Sequence, residues 1–579
     1  MPPLTRRLSR LSNLLIGTCL SGLLPLMTLP LMTAKPAAAA ERVVLTYGFF
    51  EVPVTVEALR AYSDRGEISR ELSFYFRLLS DEQRSQFRQV LQARQDVSPV
   101  QISKFLYSSI GAIIQTAGRL DGAKGLRSAL VLAAAEPEGL SVIGLIEKFP
   151  TSAIRIDAQR GLRAFGEFTQ LINDTNRAIN TIAAQSEAAS ANTLSAQDIT
   201  ALTEPGPYAV TMQTLMIEDS QRGRSLTTDL YLPETVNNAP LVVISHGLAG
   251  DRKGFIYIAE HLASHGFAVA ALDHPGSDRR QLEDLLRGFN DEISEPTEFS
   301  DRPRDISYLL AELTRMNTAN GPIASRLDMN RIGIIGHSFG GYTALAVGGA
   351  QLNFDNLQAN CASEDFIFNA ANPSMLLQCT ALAAPEQFSE TLRDPRIRAV
   401  MALNPVTSSL FGPAGFSQLA VPSLIVSGTS DPVAPALLEQ IQPFIWLNES
   451  TATQPPDATT PTPDHYLALI QGGSHIYDPI DFEGTDPALS SQLVNADIPL
   501  AYSYLKALSL GFLEAELNQN SAYRDALNNA SIAQIGQEPL PLYIVSMLTS
   551  AMLQPVTEPA PTDTAPTETV PDAVTDAPQ

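Results

Sequence analysis

Residues 331–342, RIGIIGHSFGGY, constrain this chain more than any other stretch. Ile332, Ile334 and Ile335 make an apolar run suited to one buried parallel strand, and Gly336-His337-Ser338-Phe339-Gly340 then turns the chain into the small-residue, helix-like TALAVGGA. A serine in so tight a strand-to-helix turn is held in a strained backbone conformation with its hydroxyl presented outward. Glycines two residues to either side avoid Cβ clashes where strand meets helix. Ser338 is therefore the candidate nucleophile. An ordinary glycine-rich turn is the bland alternative, and it explains less of the flanking pattern.

The surroundings of that turn set the fold class. From about residue 206 onward, apolar runs alternate with helical stretches: LVVIS (241–245), FAVAAL (267–272), IGII (332–335), IRAVMAL (397–403) and SLIVSG (423–428). Near-continuous apolar strands separated by helices imply an α/β fold, with a mostly parallel sheet covered on both faces. Two more polar strands, near 208–217 and 225–232, flank the turn Ser220-Gln221-Arg222-Gly223 and fit an antiparallel edge hairpin.

A serine nucleophile needs a base, and in this kind of sheet the base follows the acid in chain order. Two histidines come after Ser338. His465 precedes the strand YLALI and so sits at its wrong end, whereas His475 follows it on the loop GGSH. His475 is the candidate base, taking the Ser338 proton and returning it to a leaving alcohol. Asp431, in GTSDPV, stands at the carboxyl end of SLIVSG, where parallel-sheet sites form, and is the candidate acid. A turn-forming aspartate before Pro432 would have the same geometry. The rival position, after IRAVMAL, holds Asn404, an amide that cannot stabilise imidazolium as a carboxylate does. Backbone N–H groups of Phe339 and Leu248 are the expected oxyanion hole. His246 is read as bracing its loop.

His246-Gly247-Leu248 after a strand, Gly336-His337-Ser338-Phe339-Gly340-Gly341 and the late Gly473-Ser474-His475 resemble the α/β-hydrolase superfamily. Within it they look like the lipase-type platelet-activating-factor acetylhydrolases and their dienelactone-hydrolase-like relatives, over roughly 206–515. The resemblance implies an esterase or lipase acting on short or oxidised acyl chains of phospholipids without calcium. That acetylhydrolase branch usually carries its acid where this chain has Asn404, so with Asp431 the chain looks more like the wider superfamily. The opening ERVVLTYGFFEVPVTVEALRAYSDRG resembles a helical domain of unknown function that precedes such hydrolases in cyanobacteria. That likeness implies an exported enzyme and gives the domain no activity.

Residues 1–40 have the layout of a secretory signal peptide: Arg6, Arg7 and Arg10, an apolar stretch, then four alanines before Glu41. Export to the periplasm or beyond is the expectation. The formal charge is −24, and the signal contains four bases and no acid, so its removal makes the chain more acidic still. Nucleic acid is a poor partner for such a field, and a neutral or zwitterionic small-molecule or lipid ester, met transiently at a membrane surface, is a better one. Cys361 and Cys379 then remain, and an oxidising compartment makes a disulfide between them the simplest reading.

Residues 41–160 read as a mainly helical accessory domain with an opening strand at 42–47. Residues 161–205 read as a helix tapering into an Ala/Ser-rich linker, 206–550 as the catalytic domain, and 551–579 as a disordered acidic Pro/Thr-rich tail. The helical segment contains no histidine or cysteine, so nothing in it suggests covalent or metal chemistry. Insertions at 274–304 and 351–394 leave the carboxyl edge of the sheet and are expected to cover the site. The combined reading is an exported serine hydrolase of carboxylic esters needing no metal or organic cofactor. A peptidase or polyester hydrolase on the same triad remains open, as does a non-enzymatic envelope-interaction protein.

Overall fold

The computed structural model describes residues 40–47, 50–95, 123–189, 195, 198 and 201–554. Within these, 78, 93, 138, 319, 322, 363–371, 454–462, 476–496 and 529 are excepted. Residues 1–39 of the expected signal peptide, 96–122 of the expected helical domain, 190–194 of the expected linker and 555–579 of the expected tail lie outside the described residues.

The N-terminal part is helical, as expected, but rests on a sheet. Strands β1 (Arg42–Tyr47), β2 (Phe50–Thr55) and β5 (Ala153–Asp157) pair in the order β2-β1-β5, with β1 antiparallel to β2 and parallel to β5. A two-residue pair, β3 (Arg94–Gln95) and β4 (Leu140–Ser141), lies between them in sequence. Of the three, β1 alone was read as a strand; β5 is short and finds its partner over a hundred residues away. The helices begin where the sequence offers caps. Thr55 Oγ1 accepts from Ala58 N–H at 3.2 Å to start Val56–Arg65, and Ser69 Oγ accepts from Leu72 N–H at 3.2 Å to start Arg70–Phe76. Gly66, at φ 72, ends the first in the left-handed conformation that glycine tolerates. Their apolar faces bury Leu59, Tyr62, Leu72 and Phe76 against Val43, Val54 and Ile143.

The large sheet contains β6 (Val210–Asp219), β7 (Arg224–Pro233), β8 (Ala239–Ser245), β9 (Ala268–Leu272), β10 (Leu327–His337), β11 (Ile397–Leu403), β12 (Ser423–Gly428), β13 (His465–Ile470) and β14 (Leu542–Val545). Its order is β14-β13-β12-β11-β10-β8-β9-β7-β6. The six central strands are parallel; β6 and β7 form the expected antiparallel edge hairpin, and β14 adds an antiparallel strand at the other edge. Alternation explains why both faces need cover. Along β8, Leu241 and Val243 enter one core while Val242 and Ile244 enter the other, and all four are fully or almost fully buried.

The long helix Ala158–Ala189 buries Ala178, Ile179 and Ile182 in the first of these cores, and Ser186 Oγ accepts the Ile544 N–H of β14 at 3.0 Å. Helix Ile498–Glu516, started by Asp497 Oδ1 accepting from Leu500 N–H, covers the second. His465 lies at the beginning of β13, its Nδ1 2.8 Å from Ser423 Oγ, at the end of the sheet away from Ser338. Its rejection as a base therefore agrees with its position.

Candidate active site

Strand order creates the site. β10 lies between β8 and β11, with Gly336 level with Ser245 and His337 level with Leu403, so the loops after these strands emerge side by side. β12 and β13 end level too, Gly428 opposite Ile470. Ser338, the loop 246–250, Asn404, Asp431 and His475 thus meet at one edge although up to about 230 residues separate them in sequence.

Ser338 has φ 54 and ψ −114, a conformation that costs a non-glycine residue about 1–3 kcal/mol and persists where its surroundings over-determine it. Here they do. Its N–H donates to Leu403 O at 2.8 Å, and its carbonyl accepts the Tyr342 N–H that opens helix Phe339–Gly348. The flanking glycines are sterically required, since a Cβ on Gly336 would lie 1.9 Å from Gly340 O, and one on Gly340 would lie 2.0 Å from Ser245 O and 2.7 Å from His246 O. Replacing Gly340 with alanine is therefore expected to displace the loop 245–248 and lower kcat by about 10²-fold, as a misplacement near 1 Å does. Steady-state kinetics on the folded variant check this, and a wild-type kcat would refute it.

His475 Nε2 is 3.0 Å from Ser338 Oγ, and His475 Nδ1 is 2.7 Å from Asp431 Oδ2. A carboxylate can only accept, so Nδ1 carries the hydrogen and Nε2 is the acceptor facing the serine hydroxyl. The other oxygen, Asp431 Oδ1, accepts the N–H groups of Val433 and Ala434 at 2.7 and 2.8 Å, which locks the carboxylate against rotation. All three side chains are buried, with residue exposures of 5–6%. The three residues singled out from sequence are thus brought together in hydrogen-bonding order. Such an arrangement can remove a proton from Ser338 and return it to a leaving group.

Asn404 has a different part. Its Nδ2 donates to Ser474 O at 3.0 Å and His475 O at 3.2 Å, and its Oδ1 accepts Gly428 N–H at 2.9 Å, so it ties the histidine loop to the end of β12. His337 Nε2 also donates to His475 O at 2.8 Å. Burial, with His475 beside it, pushes the His337 imidazole down to about 3, so it stays neutral.

The loop after β8 approaches Ser338 closely: a Cβ on Gly247 would lie 3.3 Å from Ser338 Cβ. In it, Ala249 N–H donates to Ser277 O and Gly250 N–H to Gly247 O, so neither is free for a ligand. Leu248 N–H and Phe339 N–H, the two expected oxyanion donors, have no hydrogen-bond partner among the described residues. His246 is buried, its Nε2 accepting His274 N–H at 3.0 Å and its Nδ1 donating to Gly247 O at 2.6 Å. It braces the loop. Burial, then the nearby Arg302 cation, holds its imidazole well below the ordinary range.

The insertions differ in part from expectation. Residues 298–304 of the first do not extend over the site; they are the opening turns of helix Glu298–Met316, in which Glu298, Phe299, Ser300 and Arg302 are buried and Arg302 donates to His246 O. Charge in that stretch reads as surface, and only its burial shows otherwise. In the second insertion Cys361 and Cys379 are joined by a disulfide, and the segment is anchored by Glu439, a residue sequence reasoning passed over. Glu439 is fully buried, and its carboxylate accepts from Asn372, Ser374 and Gln378 of the insertion, from Ser408 Oγ and from the backbone N–H groups of Thr407 and Ser408, at 2.6–2.9 Å. No sequence motif marks it.

Residues 241–488, a stretch that carries the parallel strands and every residue of the site, match the alpha/beta hydrolase family. Residues 39–157 match a family described as an alpha/beta hydrolase of unknown function. Among curated proteins, Cutinase 2 of Thermobifida cellulosilytica is 30% identical over 118 residues, 19% of this chain and 35% of that protein. Cutinase est1 of Thermobifida alba is 29% identical over 118 residues, 19% of this chain and 31% of that protein. The quorum-quenching protein AidA of Acinetobacter baumannii is 26% identical over 193 residues, 33% of this chain and 55% of that protein. The chain thus spans about a third of the cutinases' length and about half of AidA's.

Proposed function

We propose that this protein is an exported carboxylic ester hydrolase in which Ser338 is the nucleophile, His475 the general base and acid, and Asp431 the residue that orients and stabilises the imidazolium. The observation that carries this is the Asp431–His475–Ser338 hydrogen-bonded series at 2.7 and 3.0 Å, beside two N–H groups that have no partner among the described residues.

Ser338 Oγ attacks the ester carbonyl carbon while its proton passes to His475 Nε2. The negative charge that develops on the carbonyl oxygen is received by the N–H groups of Phe339 and Leu248. Collapse of the tetrahedral intermediate breaks the acyl–oxygen bond, and the leaving alcohol takes the proton from Nε2. Water, deprotonated by the same imidazole, then attacks the acyl-enzyme; the acid departs and Ser338 recovers its proton.

Within that class the motif resemblance favours a lipid ester of the platelet-activating-factor acetylhydrolase type. The likeness to cutinases, proteins named for cutin, supports a second reading in which the acyl group belongs to a polymeric ester.

The test is labelling of purified protein with a fluorophosphonate probe, followed by turnover of acetyl to palmitoyl esters, a short-chain phospholipid and a polyester film. Labelling is expected in the wild type and lost in Ser338→Ala. A folded wild type that neither labels nor turns over any ester would overturn the proposal, and the preferred substrate decides between the two narrower readings.

A further inference from the structure

Beneath the loop 245–248 lies a buried guanidinium that the reaction scheme does not use. Arg302 is 0% exposed, and its head group stands 4.5 Å from the centroid of the Phe339 ring. Its Nη2 donates to His246 O and lies 3.4 Å from Ser245 Oγ, while its Nη1 lies 3.4 Å from Ser277 Oγ. One planar group therefore touches both halves of the expected oxyanion hole. It holds the residue whose backbone N–H is one donor, and the carbonyl two residues before the other.

No carboxylate makes an ion pair with Arg302 among the described residues, although Glu298, Asp305 and Asp278 are near enough to favour its charge. Arg224 engages the first two: its Nη1 lies 2.7 Å from Glu298 Oε1 and its Nη2 2.7 Å from Asp305 Oδ2. Glu298 Oε2 accepts Ser277 Oγ–H at 2.7 Å, and Asp305 Oδ2 faces His274 Nδ1 at 3.0 Å. Burying a cation without a direct counter-ion is expensive, and an apolar side chain would fill the space at a lower cost. Burial pulls the guanidinium down to about 10, still far above neutral pH, so it keeps its charge. What a methionine there would lack is a flat cation able to stack on a ring and donate to a carbonyl at the same time.

We propose that Arg302 is the positioning residue of the oxyanion hole, clamping the Phe339 ring and the His246 carbonyl so that the Phe339 and Leu248 N–H groups converge on one oxygen. The contact it spans is tight, since the Ser245 and His246 carbonyls already fill the space where a Gly340 Cβ would be. Its charge adds a fixed positive field beneath the point where negative charge develops. This inference rests on the ester-hydrolase reading above.

The test compares wild type, Arg302→Met and Arg302→Lys, with active sites counted by fluorophosphonate titration and folding followed by thermal melting. Arg302→Met is expected to lower kcat by about 10²-fold, the order of one lost oxyanion donor, with KM within about twofold of wild type. Binding of a trifluoromethyl ketone that mimics the tetrahedral intermediate should weaken in parallel with kcat/KM. Arg302→Lys keeps the charge and a bond to His246 O but loses the planar stack, and should recover part of the loss. A purely structural role would lower the melting temperature and the titratable fraction while leaving kcat per active site unchanged. Folded Arg302→Met with kcat within threefold of wild type would overturn the clamp. If that variant does not fold, folded Arg302→Lys with wild-type kcat and inhibitor affinity would do so. Wild-type protein without ester turnover would instead remove the reading on which the clamp rests.

Discussion

His475→Ala is expected to reduce ester turnover by about 10⁶-fold, the scale seen when the base of a serine triad is removed, and Asp431→Asn by about 10⁴-fold. The two differ because they remove different things. Without His475 nothing accepts the Ser338 proton; in Asp431→Asn, an amide 2.7 Å from Nδ1 can hold the imidazole in the wrong tautomer. The two N–H groups of Val433 and Ala434 that now grip Asp431 Oδ1 should keep the substituted side chain in place by holding its amide oxygen, which turns its amide nitrogen toward the ring. Single-turnover hydrolysis of an activated ester measures both losses, with circular dichroism to show that the variants are folded. More than about one per cent of wild-type activity in His475→Ala would remove His475 from the mechanism. Equal losses in the two variants would mean that Asp431 does more than orient.

The second large effect is on stability. Glu439→Ala should destabilise the protein by about 3–5 kcal/mol, because six donors aimed at one buried carboxylate would lose their acceptor together. Two of these are backbone N–H groups, of Thr407 and Ser408, which cannot turn elsewhere. Glu439→Gln should be milder yet clearly destabilising, since its amide nitrogen would bring a donor to face donors. Urea unfolding followed by tryptophan fluorescence reads the change, Trp446 being the single tryptophan and partly buried against the same core. A loss below about 1 kcal/mol in Glu439→Ala would show that water replaces the carboxylate at little penalty. Because Asn372, Ser374 and Gln378 lie just before the disulfide at Cys379, loosening this anchor is also expected to free the second insertion.

Much of the site was legible because its requirements are local. A serine at φ 54 needs small residues two positions away on each side, and GHSFG supplies them. Strands Ile397–Leu403 and Ser423–Gly428 coincide with their apolar runs, because a strand buried on both faces admits little else. Chain order separated His475 from His465, since a base must lie at the carboxyl end of its strand.

The remaining features depend on residues distant in sequence. Asn404 reads as the position where an acid is absent, and becomes a clamp on Ser474 and His475 only because β11, β12 and β13 are neighbours. Arg302 sits in the charged stretch FSDRPRD, which any hydropathy argument sends to the surface, yet the helix that carries it packs beneath the loop after β8. The sequence by itself determined the tight turn at Ser338, the parallel sheet and the three residues that meet at its edge, since each leaves either a local pattern or a place in chain order. The tertiary structure alone decided which charges are buried and what they hold. A buried cation or carboxylate is stabilised by partners from other elements, and those partners exist only once the strand order has brought them together.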